Sequence, residues 1–318
     1  LCDRADAVAV ASDGTRFVVV YGGADGVYAR VVGAGQPGAP AQLDPVGQEA
    51  SVAITGGPHG FAAVWKRREN NAYSLRGSTS TDGASWGPPT TLVSPADRDE
   101  LVMASSSAGH ALIFSRYNLP AQAWVHDGTG WSQTAQLGTT RTGTVALLAE
   151  ASGFTALSWA QGSTPVLWRS ASGSWTSSAV PATQGDTSSP GVLFAKSPTG
   201  YVAWFEGSSG SNKRFATFEN GAWTVVTPSV SVESPVAMPC TATRCFVVGQ
   251  RSSFGMYAPY AVAIHDGRLV ELGPLLDAAP ATRDGVVAFT AGRSGWGLLF
   301  RALDSSAGID RIWAQLEL

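Results

Sequence analysis

A short alternating apolar segment recurs seven times along this chain of 318 residues, at intervals of about 45 residues. Each copy is rich in small and β-branched residues, which favour strands. A turn containing Gly, Asp or Pro follows, and then a second, more apolar strand. The copies begin at Val8, Val52, Val102, Val145, Val192, Val236 and Val287. This pattern predicts a chain of small antiparallel sheets of similar construction.

The length and number of these units predict a β-propeller. The interval matches one four-stranded propeller blade, and a closed ring hides sheet edges that an open sandwich would leave exposed. No segment has a helical period over a useful length. We therefore predict an all-β fold with one seven-bladed β-propeller domain spanning residues 1–318. Its approximate blades are 5–47, 48–98, 99–142, 143–187, 188–232, 233–283 and 284–318.

The last repeat is shorter than the others. The chain stops after a third strand at about residues 312–316, and only residues 1–5 precede the first strand. Too few residues are left for a full outer strand. We therefore expect a seventh blade of three strands; the alternative is a chain cut short of its natural end.

Composition excludes several classes of protein. Hydrophobic residues make up 44% and charged residues 14% of the chain, which is enough apolar material for a large core. The net charge of -3 gives no electrostatic reason to expect nucleic acid as a partner. No run of 18 apolar residues occurs, so we expect no transmembrane segment.

Two cysteines bracket a predicted turn. Cys240 and Cys245 enclose four residues, and facing positions of a hairpin bring their Cβ atoms within bridging range. We expect a disulfide here, with two buried thiols as the alternative. A disulfide favours an extracellular or extracytoplasmic location, so we predict a secreted or surface-attached protein.

One turn carries a recognisable motif. Residues 80–86 read Ser-Thr-Asp-Gly-Ala-Ser-Trp, and simpler copies of this hairpin recur four times downstream. The motif resembles the Asp-box (BNR) repeat of sialidase-like propellers, Ser-x-Asp-x-Gly-x-Thr-Trp, although it is one residue shorter and has Ser85 in place of Thr. In that family the box is a structural turn on the face away from the active site. The residues agree, since Asp82 can bind backbone N–H groups and Trp86 can pack between adjacent sheets.

The resemblance does not extend to sialidase chemistry. Sialidases hold a carboxylate with three arginines, and their Arg-Ile-Pro signature is absent near the first repeat. Generic positive charge does not replace bidentate carboxylate recognition. Sugar-binding seven-bladed lectins share the Trp-rich and Gly-rich style of the repeat, which is a weaker similarity.

The charged residues gather on one predicted face. In a propeller, loops between second and third strands share a face with the loops that join blades, and loops carry function more often than core strands do. We predict that this charged loop face binds the ligand, because Arg and Tyr offer contact area and directed hydrogen bonds. The predicted ligand-binding residues are Lys66, Arg67, Arg68, Arg116, Tyr117, Glu206, Arg214, Tyr257 and Arg301.

Four carboxylates occupy equivalent positions just before a first strand. They would ring the mouth of the central channel, where they could hold a cation such as calcium or supply the acid and base of a glycosidase. The alternative is that each pairs with a nearby arginine, such as Arg98 or Arg283. No catalytic residue is assigned beyond these candidates, which are Glu49, Asp99, Glu233 and Asp284.

The sequence shows no resident cofactor. His59 and His110 lie in first turns, while His126 and His265 lie in Asp-Gly hairpins. Their spacing is not that of a closed zinc site, so we predict no metal site among them. Phosphate-binding and dinucleotide-binding motifs are also absent.

We therefore predict a binding propeller that recognises a glycan or a protein through the charged loop face. One alternative is a glycoside hydrolase or lyase, whose carboxylate pair would lie roughly 5–10 Å apart. The other is an architectural module of a larger surface protein. A catalytic function is the less favoured interpretation of the sequence.

Overall fold

Every regular element in the described part of the chain is a β-strand, which confirms the all-β prediction. No described segment forms an apolar helix of a length that could cross a membrane. The computed structural model describes residues 7–23, 25–32, 38–45, 51–69, 72–94, 100–116, 119–138, 144–159, 163–171, 173–180, 191–197, 199–206, 213–226, 233–238, 240, 245–253, 256–265, 268–274, 286–291, 296–304 and 309–317.

The first three sheets each contain four strands. The first consists of β1 (Ala7–Ser12), β2 (Phe17–Gly23), β3 (Gly26–Val32) and β4 (Ala41–Asp44). The second consists of β5 (Val52–Gly57), β6 (Gly60–Glu69), β7 (Ala72–Ser80) and β8 (Thr90–Val93). The third consists of β9 (Leu101–Ser106), β10 (Gly109–Arg116), β11 (Leu119–His126) and β12 (Trp131–Leu137).

The next three sheets repeat this plan. The fourth consists of β13 (Thr144–Ala149), β14 (Gly153–Trp159), β15 (Val166–Ala171) and β16 (Ser174–Ala179). The fifth consists of β17 (Gly191–Lys196), β18 (Gly200–Glu206), β19 (Lys213–Glu219) and β20 (Ala222–Val226). The sixth consists of β21 (Glu233–Ala237), β22 (Cys245–Ser253), β23 (Met256–His265) and β24 (Arg268–Pro274).

The last sheet has three strands within the described residues, as the short final repeat predicts: β25 (Val286–Ala291), β26 (Trp296–Asp304) and β27 (Ile309–Glu317). In all seven sheets the strands are antiparallel and follow chain order. The turns between first and second strands and between third and fourth strands therefore lie at one end of each sheet, called the turn end below. The opposite end is called the loop end.

Successive sheets meet through their first strands. β1 contacts β5, β5 contacts β9, and the series continues through β13, β17 and β21 to β25. β25 in turn contacts β1. The first strands thus form a closed cycle. The small residues of these strands, such as the Ala residues of β1, allow such close approach.

The core lies between neighbouring sheets. All seven residues of β14 are buried, so the second strand of a sheet is covered on both faces. One cluster joins Val18 of the first sheet to Phe61 and Trp65 of the second. Another joins Leu75 of the second sheet to Phe114 of the third. Burial of each such side chain contributes about 1.5–3 kcal/mol relative to exposure.

Several predicted loop residues lie on strands instead. β6 and β7 pair as far as Glu69 and Ala72, so Lys66, Arg67 and Arg68 extend the ladder rather than forming a loop. Arg116 likewise ends β10, and Arg301 lies within β26. The physical reason is that backbone pairing continues past the buried segment, where the side chains become polar.

The Cys240–Cys245 disulfide is present, as predicted. The two residues face each other across an isolated antiparallel bridge, with their Cα atoms 3.9 Å apart. Cys245 is buried and belongs to a cluster with Met238 and Val247. The bridge therefore closes the turn between β21 and β22 at the edge of the core.

Candidate functional site

Two predicted ligand-binding residues of the second sheet share one aromatic partner. Lys66 is only 2% exposed, and its Nζ lies 5.6 Å from the centroid of the Tyr73 ring. The guanidinium of Arg68 lies 5.8 Å from the same ring, and Arg68 is exposed to solvent. Arg68 is therefore exposed at the surface, whereas Lys66 is a buried part of the sheet.

Arg67, also a predicted ligand-binding residue, belongs to a buried ion cluster around Asp44. The Asp44 carboxylate is fully buried and accepts a hydrogen bond of 3.1 Å from Trp65 Nε1. Arg67 Nη1 and Arg76 Nη1 lie 3.3 Å and 3.4 Å from its two oxygens. Because Trp65 pairs with Arg76 across β6 and β7, all three donors lie on one face of the second sheet. The cluster joins that sheet to the first.

The structure describes the other predicted site residues less completely. Arg214 is partly exposed and pairs with Phe205 across β18 and β19. For Arg116, Glu206, Glu233, Tyr257 and Arg301 the strand position is described, but the side chain lies outside the described part. Tyr117, Glu49, Asp99 and Asp284 lie outside the described residues altogether. The predicted carboxylate ring and its cation therefore stay a prediction.

The motif at residues 80–86 forms a tight turn. Asp82 Oδ1 accepts hydrogen bonds from the amides of Ala84 and Ser85 at 2.8 and 2.7 Å. These bonds lower the pKa of the Asp82 carboxyl to about 2. Trp86 Nε1 donates to the carbonyl of Gly83 at 2.9 Å, and the indole packs against the cluster between the first two sheets.

Arg16 of the first sheet clamps this turn. Its guanidinium donates to the carbonyl of Asp82 at 2.9 Å and to that of Thr81 at 3.3 Å. The same guanidinium pairs with Asp13 at 2.6 Å. Because these contacts are internal, the turn around Asp82 serves to hold two sheets together.

A cavity of about 550 Å³ lies at the turn end, between the second and third sheets. The second sheet supplies its β5–β6 and β7–β8 turns, and the third supplies residues at the start of β10 and the end of β11. Its lining includes three imidazoles and several hydroxyl groups, from His59, His110, His126, Thr79, Ser80 and Ser85.

A second cavity of about 300 Å³ adjoins the first. The two share Thr79, Gly87 and His126. The second is lined by the indoles of Trp124 and Trp131, together with Leu92, Pro88 and Thr90. The two cavities together are called the groove below.

The three imidazoles of the groove form a row. The ring centroids of His59 and His110 are 6.2 Å apart, and those of His110 and His126 are also 6.2 Å apart. His126 in turn contacts Trp131 edge to face, with centroids 5.3 Å apart. The described residues contain no group of three or more His, Cys, Asp or Glu side chains arranged to hold a metal ion.

Burial keeps His110 and His126 neutral. His110 is 2% exposed, and desolvation, together with the neighbouring His126 and His59, lowers its pKa to about 4. Desolvation also lowers the pKa of His126, although Asp127 acts in the opposite direction. At neutral pH both rings therefore act as uncharged hydrogen-bonding groups.

Two buried ring nitrogens of the groove residues have no hydrogen-bond partner among the described residues. They are Nδ1 of His110 and Nε1 of Trp124. A buried polar group left without a partner costs about 1–3 kcal/mol. Such groups are rare in folded proteins, so each one requires a structural explanation.

The groove is not among the sites that the sequence predicts. The sequence places His59 and His110 in first turns and His126 in an Asp-Gly hairpin, and the gathering of charges favours the loop end instead. The repeat pattern does indicate this location, because turns at equivalent positions of adjacent units lie at the same end of their sheets. Imidazole, indole and hydroxyl groups in those turns are the chemistry that the groove brings together.

Comparison of the sequence with protein-family models and with curated proteins finds no match. Solved structures do show a similar fold. The lectin of Aleuria aurantia, described as a six-bladed β-propeller with a novel fucose recognition mode, aligns with a TM-score of 0.52 and 16% identity. The alignment covers 83% of this chain and 90% of the lectin. This chain has a β-propeller fold.

Two further alignments with solved structures cover nearly the whole chain. A protein from Lactobacillus plantarum aligns with a TM-score of 0.56 and 11% identity, over 95% of this chain and 96% of its own. A prolyl endopeptidase aligns with a TM-score of 0.60 and 13% identity, over 96% of this chain but only 46% of its own. At such identities the likeness concerns the fold alone, and function has to be argued from the site.

Proposed function

We propose that this protein is a seven-bladed β-propeller that binds glycans in the groove between its second and third blades. The observation that carries the proposal is the composition of the groove. Aromatic rings, imidazoles and hydroxyl groups line adjoining cavities of about 550 and 300 Å³. Binding sites typically combine an apolar, aromatic lining with a few polar groups that fix orientation.

Seven blades are supported by the strand contacts. The described residues form seven sheets, and the first strands contact one another in a cycle that returns from β25 to β1. A six-bladed ring would have to leave one of these sheets outside the cycle. The similar lectin of Aleuria aurantia, described as six-bladed, aligns with 83% of this chain.

An extracytoplasmic location and an Asp-box origin of the repeat belong to the same proposal. The Cys240–Cys245 disulfide supports an oxidising compartment. The turn at Asp82, with its amide hydrogen bonds and the packed Trp86 ring, supports descent from the Asp-box repeat.

Binding is a better fit to the groove than hydrolysis. A glycosidase uses a pair of carboxylates that flank the scissile bond. The residues that line the two cavities include no Asp or Glu. The groove therefore suits recognition without turnover. A lectin-like role also agrees with the description of the Aleuria aurantia structure as a fucose-recognising lectin.

A glycan array probed with the wild-type protein and with Thr79→Trp tests the proposal. Thr79 lines both cavities, so an indole at this position fills the groove, and we expect at least a tenfold loss of binding. Thr176→Trp is the matched control, because Thr176 is an exposed strand residue of the fourth blade. It should bind as the wild type does.

Two results would contradict the proposal. Absence of binding to every glycan on the array rejects glycan binding itself. Binding that survives in Thr79→Trp but is lost in the double variant Arg116→Ala/Arg301→Ala instead places the site on the charged loop face that the sequence predicts.

A further inference from the structure

The two cavities of the groove adjoin each other but differ in chemistry. We infer that the groove binds an oligosaccharide of at least two sugar units, with one unit in the first cavity and the next unit in the second. This inference rests on the proposed function. It goes further, because it excludes a single sugar ring as the complete ligand and assigns the second unit to the indole of Trp131.

A row of rings runs along both cavities. His110 pairs with His126 across β10 and β11, and His126 pairs with Trp131 across β11 and β12. The row therefore crosses the third blade from strand to strand, and His59 extends it to the second blade. His59 and His110 line the first cavity, Trp131 lines the second, and His126 lines both. The long direction of the groove thus follows the row.

The row is longer than one sugar ring. Its neighbouring ring centroids are 6.2, 6.2 and 5.3 Å apart. A pyranose unit adds a length similar to one of these steps when it extends an oligosaccharide, so the row has room for two or three units. The cavity volumes agree with this length. Cavities of about 300–1,000 Å³ enclose drug-sized ligands, and a disaccharide is of that size, whereas a single hexose is smaller.

The first cavity offers mainly polar contacts. Its lining includes His59, which is exposed, and Thr79 and His126, which are partly exposed. Nε2 of His59 donates to the carbonyl of Ser107 at 3.0 Å, and Nδ1 of His126 accepts from the amide of Gly128 at 3.2 Å. These bonds hold both rings in place before a ligand arrives, which lowers the ordering cost of binding. The first cavity therefore suits a sugar unit that presents its hydroxyl groups.

The second cavity offers an apolar surface. Trp131 is partly exposed, and a Cβ built at Gly77 would lie 3.3 Å from its Nε1 and 3.4 Å from Leu92 Cδ1. The indole and Leu92 therefore lie close together beside the backbone of Gly77, and the edge-to-face contact with His126 restrains the indole further. A pyranose ring carries C–H groups on one face, and covering the indole with this face removes apolar surface from water. Trp131 therefore takes the second unit.

A linked pair of units gains more from this arrangement than a single unit does. One ring can use either the polar contacts of the first cavity or the indole of the second. A second unit that is covalently linked to the first loses little further translational and rotational freedom when it binds. A disaccharide should therefore bind more tightly than either of its constituent monosaccharides.

Isothermal titration of disaccharides beside their monosaccharides tests the inference. The probes are cellobiose, lactose, mannobiose and chitobiose, with D-glucose, D-galactose, D-mannose and N-acetyl-D-glucosamine. The strongest-binding glycan from the array is titrated beside its terminal monosaccharide in the same way. In every pair that binds, we expect the longer sugar to bind at least tenfold more tightly than the single unit.

Two variants each block one cavity. Thr81 lines only the first cavity and Thr90 only the second, and both residues are exposed. Thr81→Trp and Thr90→Trp should each weaken the disaccharide at least tenfold. The monosaccharide occupies one cavity, so no more than one of the two variants should weaken it. Thr176→Trp is the matched control, because Thr176 is an exposed strand residue of the fourth blade, and it should bind as the wild type does.

A second pair of variants removes contacts without adding bulk. His59→Ala acts on the first cavity and Trp131→Leu acts on the second, and each should weaken the disaccharide at least threefold. Circular dichroism checks that every variant is folded. If a blocking variant does not fold, the variant of this pair on the same cavity takes its place.

The outcomes separate the two levels of the claim. Equal affinity of the longer sugar and its single unit, in every pair that binds, would keep glycan binding but overturn this inference. A disaccharide that is weakened by changes in only one of the two cavities would overturn it as well. If no sugar binds at all, the proposed function fails and this inference fails with it.

Discussion

At the scale of single residues, His110 connects burial with pH. Its imidazole is buried beside the imidazoles of His59 and His126. This burial makes His110 a group that destabilises the fold in acid, because the buried ring resists protonation. A buried histidine of this kind changes how the free energy of unfolding depends on pH, even when no ligand is present.

We predict that His110 destabilises the protein as the pH falls from about 6.5 to about 4. The pKa of His110 is lowered from 6.5 to about 4 in the folded protein, so in this window the unfolded chain binds the proton and the folded chain does not. The lost stability is of order 2–3 kcal/mol. Urea unfolding at pH 6.5 and pH 4.5 measures it.

His110→Phe is the comparison for that measurement. Phe cannot titrate, so the variant should lose less stability than the wild type between the two pH values. An identical loss in both proteins would show that acid sensitivity arises from other groups, such as carboxylates.

Asp44 is the second residue for which we predict an effect on the free energy of unfolding. Its carboxylate is fully buried and bonded to Trp65, Arg67 and Arg76. Asp44→Ala removes the buried carboxylate that both guanidinium groups contact, and we expect a loss of about 3–5 kcal/mol in the free energy of unfolding. Asp25→Ala, at an exposed turn of the same blade, should change it by less than about 0.5 kcal/mol. A loss below about 1 kcal/mol in Asp44→Ala would contradict the role assigned to the cluster.

At the scale of elements, the turn around Asp82 depends on a glycine for two separate reasons. Gly83 has a φ of 76°, which a residue with a Cβ adopts only with strain. A Cβ built at Gly83 would also lie 2.5 Å from Val18 Cγ2 of the first blade. The turn and the neighbouring blade therefore fit together only with glycine at this position.

A pair of Gly→Ala variants separates the two effects. Gly14 has a φ of 95° and open space around its Cβ position, so Gly14→Ala should cost only the backbone strain, about 1–2 kcal/mol. Gly83→Ala should cost a further 1–3 kcal/mol because of the overlap with Val18. Thermal unfolding followed by circular dichroism compares them. Equal losses would mean that the turn moves freely against the first blade.

Most elements could be predicted from the sequence because local patterns determine them. Strand alternation, turn residues and the Cys240–Cys245 spacing all act over a few neighbouring residues. The ends of the strands were harder, since β6 continues to Glu69 through charged residues. Backbone pairing does not require apolar side chains, so hydrophobic pattern alone ends a strand too early.

At the scale of the whole molecule, the site depends on which blades are neighbours. His59 and His110 are 51 positions apart in the sequence and come together only because the second and third blades pack side by side. The Asp44 cluster likewise needs β4 of one blade and β6 and β7 of the next. A repeat analysis shows that such positions are equivalent, but not which side chains touch across the boundary.

The two ends of the propeller differ accordingly. At the loop end, Lys66 and Arg67 are engaged within the protein, and Arg68 is presented to solvent. At the turn end, the groove combines space with imidazole, indole and hydroxyl groups. This contrast is why we place glycan binding at the turn end rather than on the charged surface.

A crystal structure of the protein with the strongest-binding glycan from the array is the most direct test of glycan binding in the groove. We predict density for a sugar between the second and third blades, in contact with Thr79 and His126, which line both cavities, in a ring of seven blades. Density for the sugar at the loop end, with the groove empty, would contradict the central claim.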